Sequence, residues 1–313
     1  MLSLRTTRRV SGWMAVLPRS GRIDLAHVLH ERDALPRLCR MESFEAGQNV
    51  ADALKALSAS RKLKGYAVTT LLRDGEYQLA QLEAPAVPEA ERAEALRWRL
   101  KDLVDFPVDG ASIAVIDIPV ERASGRQAMV YAVAAGQPAI AAVMSGFFEG
   151  KVALDAIDIP ELAQRNVAAL FEQENRGLAF LSLDDHGGLL TITYRGELYA
   201  VRRIEVSATQ LVDADPDRRT SLLERIMLEL QRTLDNFDRQ YSFISVAELL
   251  VIACPAVAEL QSYLSENLYV PVKQADLSQV LDLSAVPELR ANPELQARYL
   301  PAIGAALRSG GEA

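Results

Sequence analysis

Two hydrophobic periods alternate along this chain. From Arg22 to His30, Ile23, Leu25, His27 and Leu29 fall on one face, the period-2 signature of a strand. Val10 to Leu17 and Arg37 to Phe44 read as its neighbours, with a turn at Arg19 to Gly21. From Asn49 to Lys64 the spacing widens, and Val50, Leu54, Leu57 and Leu63 mark the apolar stripe of a helix. Tyr66 to Leu72 and Tyr77 to Leu82 flank Arg73-Asp74-Gly75 and read as a hairpin.

Ala84 to Pro88 carries two prolines and reads as a linker. Glu89 to Phe106 then predicts a long helix with Ala93, Leu96, Leu100, Leu103 and Val104 inward, stopped by Pro107. Ser112 to Ile118 and Gln127 to Ala134 predict strands around a polar turn at Glu121 to Gly125. A helix to about Phe148, a strand from Val152 to Ile159 and a helix from Pro160 to Asn175 complete this stretch. A second series then begins. Gly177 to Leu183, Leu189 to Tyr194 and Glu197 to Glu205 predict three strands, and Thr220 to Gln240 a long helix. Ala247 to Ala253 reads as a buried strand, Val257 to Leu268 as a helix, Val270 to Ala275 as a strand and Glu294 to Arg308 as a last helix. The order "meander, helix, strand, helix" thus occurs twice. The expected division is 1–83 for a first half, 84–175 for an inserted αββαβ subdomain and 176–313 for a second half, with the last helix free to return to the first. The fold class is α/β.

Composition narrows the function. The chain has 313 residues, 24% of them charged, and a net charge of −8. That suits a two-unit globular protein and argues against a general nucleic-acid binder, which needs a basic face. Cys39 and Cys254 form no CxxC pair and read as inert thiols of a reducing compartment. His27 and His30 point to opposite faces of a strand, so they cannot share a metal. The basic start MLSLRTTRRV is followed by only five apolar residues before Pro18, too few for an export signal. Ala128 to Phe148 lacks charge but holds Gln137, Pro138 and several alanines, so a strand, a turn and a helix are expected there rather than a membrane span.

A duplicated α/β unit with a meander at each start is the pattern of actin-like, ribonuclease H-like folds. EALRWRLKDLVDFPVDGASIAVIDIP (Glu94 to Pro119), LDAIDIPELAQRNVAAL (Leu154 to Leu170), LYAVRRIEV and YLPAIGAALR resemble the MSHA-pilus biogenesis protein MshI. That family is similar to PilM of type IV pilus assembly and, more distantly, to FtsA. The resemblance runs from about Tyr66 to Arg308. It implies a cytoplasmic protein, peripheral at the inner face of the bacterial inner membrane. It also implies a partner: the cytoplasmic tail of a single-span, PilN-like protein, docked beside the inserted subdomain. PilM also binds ATP between its halves, so ATP with Mg²⁺ is the implied cofactor.

Three motifs hold the nucleotide in that family. The first hairpin carries D-x-G, where this chain has AVLPRSGRIDL, with Pro18 and Arg19 at the turn. The second is D-x-G-x-x-x-T. Here it is LSLDDHGGLLTI, where Asp184 and Asp185 are the candidate acids and Gly187 and Gly188 the candidate cradle glycines. The same six residues also make an ordinary hairpin turn. The third, a Gly-Gly strand end, is replaced by CPAVAEL, with Pro255 opening a helix. Two motifs are lost and one is partial. The expectation is therefore a non-catalytic scaffold, with Trp98, Arg99 and Phe106 as candidate partner-binding residues. The alternatives are a PilM- or FtsA-like ATP-binding protein or ATPase, or a GspL-like component of type II secretion. The tail LRSGGEA has no apolar face, so direct membrane insertion is not expected.

Overall fold

The first three strands form a tight meander: β1 (Trp13–Arg19), β2 (Arg22–Leu29) and β3 (Arg37–Glu45) pair antiparallel in chain order. The computed structural model describes residues 10–308 apart from 20, 33, 48, 61–62 and 120–126. The expected turn at 121–125, most of the basic start and the end of the tail therefore lie outside the described residues. β1 runs through Pro18, which pairs with Ile23. The next strand over, β4 (Ala67–Leu71), pairs only with Trp13 to Ala15, so the missing Pro18 N–H breaks no ladder there.

Two five-stranded sheets are built to one plan. The first has the order β3-β2-β1-β4-β8, closed by β8 (Ala156–Asp158). The second is β11-β10-β9-β12-β13, from β9 (Gly177–Leu183), β10 (Gly188–Tyr194), β11 (Glu197–Ile204), β12 (Val246–Ala253) and β13 (Val272–Gln274). Each has three antiparallel strands followed by two parallel ones. Helix α1 (Val50–Ala59), capped by the Asn49 carbonyl, serves the first, and the 25-residue α6 (Pro216–Gln240), capped by Asp215, serves the second.

The last helices of the two halves, α4 (Pro160–Ala168) and α8 (Pro293–Ala306), pack against each other between the sheets. α4 lies on β9, β10 and β11, whereas α8 lies on β1, β2 and β4 as well as β12. They meet at Gly304, where a Cβ would stand 2.1 Å from the Ala163 carbonyl oxygen. Asn166 donates to the Gly304 carbonyl at 2.9 Å.

A third sheet, β5-β7-β6, comprises β5 (Tyr77–Glu83), β6 (Ser112–Ile118) and β7 (Met129–Ala135). Helix α2 (Glu89–Leu100) covers one face, burying Leu96 and Leu100 on Val130, Ala132 and Ala134. This corrects the expected hairpin. The Arg73–Glu76 turn closes, with Gly75 at φ 81, but β4 and β5 enter different sheets. β4 is buried almost throughout, as a central parallel strand must be, while β5 is largely open to solvent. The sheets therefore cut across the expected boundaries at 84 and 175, since β5 precedes the first and β8 and α4 precede the second.

Several helix ends also move. α2 stops at Leu100 rather than Phe106, because the chain turns back to set the Phe106 ring against Gly136, at the start of α3 (Gln137–Glu149). After α4, a short 3-10 turn replaces the expected continuation and lets Phe171 reach Phe180. α5 (Ala208–Asp213), closed by a Ser207–Gln210 capping box, lies where no helix was expected. α7 (Leu260–Asn267) starts five residues beyond Pro255.

Candidate functional site

The turns β1–β2 and β9–β10 occupy equivalent places in the two sheets. Arg22 of the first turn and Asp185 of the second lie within electrostatic reach of the Cys254 thiol at the end of β12, as do Glu294 and Arg298 of α8. Burial, then the carboxylates of Glu294 and Asp185, push that thiol above its ordinary range, and burial does the same to Cys39. Neither is an activated nucleophile.

In the second turn, a carboxylate occupies the cradle. Asp184 Oδ1 accepts the backbone N–H of His186 at 2.8 Å and of Gly187 at 3.2 Å. The Asp184 N–H donates to the Gly187 carbonyl, and the Asp184 carbonyl accepts from Ala208 at the start of α5. The amides that would meet a phosphate are thus engaged by the loop's own side chain. Gly187 is required for close approach, since a Cβ there would lie 2.7 Å from the Ile204 carbonyl oxygen, and one on Gly188 would meet Leu183 and Ile204 at 3.0–3.1 Å. Asp185 points out and accepts from the Thr209 hydroxyl at 2.8 Å. It lines a cleft of about 570 Å³ with Ser207, Gln210, Asp213 and Arg218.

The first turn is closed by an acid that sequence reasoning passed over. Asp24 is 1% exposed and accepts from Arg22 Nε at 3.1 Å and from the Ser43 hydroxyl at 2.8 Å, with Arg19 at 3.8 Å. Both arginines at this turn are therefore drawn onto an internal carboxylate. At the third motif, the Cys254 N–H donates to the Leu183 carbonyl, and residues 254–256 carry no glycine. Together these residues do not fit a magnesium nucleotide. A phosphate at the second turn must displace Asp184, and no glycine lets the base approach the end of β12. Among the described residues, no group of three His, Cys, Asp or Glu side chains is placed to hold a metal.

The histidines sit in structural roles. His27 is buried, bonded through Nε2 to the Ser11 carbonyl at 2.9 Å and set edge-on to Tyr66. His30 reaches the Leu307 carbonyl at 3.3 Å.

Of the three candidate partner residues, only Trp98 presents a broad face, 75% exposed, with Lys101 Nζ 5.9 Å from its ring. Arg99 donates to the Glu83 carbonyl at 3.0 Å, tying α2 to β5. Phe106 is half-buried against Gly136 and the core under α2. Met144 and Phe148, one turn apart on α3, are exposed at 58% and 84% and were not singled out by sequence. The alanine-rich stretch around them reads as core until α3 is seen to have an open face.

No protein-family model matches the chain, and no curated protein does. Solved structures do. A PilM–PilN type IV pilus biogenesis complex superposes with a TM-score of 0.74 at 20% identity, over 96% of this chain and 98% of that one. The cytoplasmic domain of EpsL, an inner-membrane component of the type II secretion system of Vibrio cholerae, gives 0.51 at 14% identity, over 86% and 92%. A Bacteroides thetaiotaomicron protein described as having an actin-like ATPase fold and unknown function gives 0.48 at 8% identity, over 93% and 100%. The fold is the duplicated actin-like one. No helix among the described residues is long and apolar enough to cross a membrane.

Proposed function

We propose that this protein is a non-catalytic scaffold of a type IV pilus machine of the MSHA type, the role of MshI. It works at the inner face of the bacterial inner membrane, where it binds the cytoplasmic tail of a bitopic, PilN-like partner. The observation that carries this is the second hairpin turn. Its amides are closed on Asp184, so the actin-like body keeps its shape without a phosphate cradle. The likeness to the PilM–PilN complex over nearly the whole of both chains supports the partner class. Trp98, with Met144 and Phe148 of α3, offers exposed apolar area for the tail. The inserted unit, about 84–175, is its proposed platform.

Titration calorimetry tests both halves of this reading. A synthetic PilN-like tail is expected to give saturable heat that weakens in Trp98→Ala or Phe148→Ala, and no heat at all would remove the scaffold reading. Mg²⁺-ATP is expected to give none. Micromolar ATP binding that is lost in Asp184→Ala or Asp185→Ala would replace the scaffold by an ATP-binding protein. The likeness to the EpsL domain favours a type II secretion role as the second reading. Pull-downs with tails from both machines discriminate the two.

A further inference from the structure

Helix α6 sorts its charges by face. Arg218, Arg225, Arg232 and Arg239 recur every seven residues, so they form one stripe that drifts only about 20° per heptad. Asp217, Glu224 and Asp238 keep the same register one position earlier, about 100° round the helix. The acidic flank turns towards the α7 side, where Asp238 accepts from the Tyr269 hydroxyl at 2.9 Å and Glu224 acts on Tyr263. From Arg225 onwards the arginine flank turns towards β11, whereas Arg218 lines the separate cleft beside Asp185. Arg225 approaches Glu205 at 3.7 Å, and Arg232 and Arg239 line a cleft of about 540 Å³ with Arg202 of β11 and Gln81 of β5. Glu229 is its single carboxylate, paired with Arg202 at 2.6 Å and Arg232 at 3.5 Å. Three guanidinium groups against one carboxylate make this a positive groove on a chain of net charge −8.

One wall of the groove is a strand edge. β11 is the outer strand of its sheet, and Tyr199 to Arg202 line the cleft consecutively. The Tyr131 hydroxyl holds the Tyr199 carbonyl at 3.1 Å, and no described strand pairs with the outer side of β11.

We propose that this groove docks an extended, acidic segment of a partner protein, at a surface separate from Trp98 and independent of the tail-binding reading. The stripe from Arg225 to Arg239 spans about 21 Å of helix, the reach of about six extended residues. The arginines supply selectivity for acid, and main-chain pairing with β11 is open only beyond Val201, because the Tyr131 hydroxyl already meets the backbone of Tyr199 and Val201. A flat anionic membrane is the poorer match, because it would meet the acidic flank beside the stripe and cannot enter a concave cleft. A small phosphorylated molecule would fill the cleft and leave Arg225 unused.

Fluorescein-labelled deca-glutamate, followed by anisotropy on the full chain, tests this. Saturable binding that weakens as salt rises is expected. The triple variant Arg225→Glu, Arg232→Glu, Arg239→Glu is expected to lose about tenfold or more in affinity. Arg225 and Arg232 are 60% and 71% exposed, so the fold should persist, and circular dichroism verifies it. Milder Arg→Gln changes at the same sites serve if it does not. Slowed amide exchange beyond Val201, at residues 202–204, with the peptide bound would identify edge pairing. The proposal is overturned by absence of saturable binding, or by equal affinity in the triple variant. It is also overturned if phosphatidylglycerol vesicles or pyrophosphate bind the groove where deca-glutamate does not.

Discussion

Glu161 of α4 is 1% exposed, yet it is an acid between three units of the structure. It accepts the Tyr77 hydroxyl from β5 and both Nε (3.1 Å) and Nη2 (2.8 Å) of Arg203 from β11. Asp74, in the turn before β5, adds a contact with Arg203 at 3.3 Å. Burial and the adjacent carboxylate push the Tyr77 phenol far above its ordinary range, so it stays a donor at any working pH. The two charged partners are not equivalent. Arg203 is 39% exposed and can rehydrate, whereas Glu161 cannot. Arg203→Ala should therefore cost about 3 kcal/mol, the penalty of a stranded buried charge. Glu161→Gln, which keeps the shape, should cost about 1 kcal/mol. Urea unfolding of the two variants checks the order, and equal losses would contradict it.

At the same scale, His27 predicts a pH dependence. Burial, aided by Arg40, holds its imidazole below the ordinary value near 6.5, against the opposing pull of the Ser11 carbonyl. The unfolded chain thus binds a proton that the folded chain resists. Stability is fully present above 6.5 and falls as pH drops below it towards the folded pKa. His27→Gln keeps a donor for Ser11 and should flatten the acid limb below about pH 6.5. These details were only half legible in the sequence. The spacing of Asp184, Gly187 and Gly188 was visible, but not whether the amides face a ligand or the aspartate itself. Asp24 was hidden by its alternation, because the residue reads as a polar position until both faces of β2 are covered.

Among the elements, the α4–α8 crossing is a backbone-to-backbone contact. Gly304→Ala would drive a methyl into the Ala163 backbone, which cannot move aside as a side chain could. The expected loss is about 3 kcal/mol, read from the thermal midpoint. Gly146→Ala on α3, with nothing near its Cβ, should be neutral or better and serves as the control. Helix and strand identity was largely written in the periods, whereas partnership was not. Tyr66–Leu72 and Tyr77–Leu82 have the local chemistry of a hairpin, and only the unequal burial of β4 and β5 separates them. The seven-residue recurrence of arginine on α6 was equally present in the sequence. Which neighbour it faced depended on β11 and the third sheet.

At the level of the whole molecule, the repeated order of elements was the strongest sequence signal, and it emerges as two sheets with one strand order. A ligand that binds only the folded state raises the midpoint, with the logarithm of its concentration over its dissociation constant. Millimolar Mg²⁺-ATP should leave the thermal midpoint unmoved, while a PilN-like tail should raise it. A rise with ATP that vanishes in Asp184→Ala would reverse that assignment.

The placement of α8 also sets a timetable for synthesis. β1 begins at Trp13, but the helix that lies on it begins at Pro293. At about 5–20 residues per second, the ribosome needs ~15–60 s to supply it. During that interval the first sheet has one face uncovered, with Ala15, Leu17, Ala26 and Val28 waiting for α8. Nascent chains should therefore engage holdase chaperones until α8 emerges, and stop codons placed before Pro293 should yield aggregation-prone, protease-sensitive products rather than a folded first half.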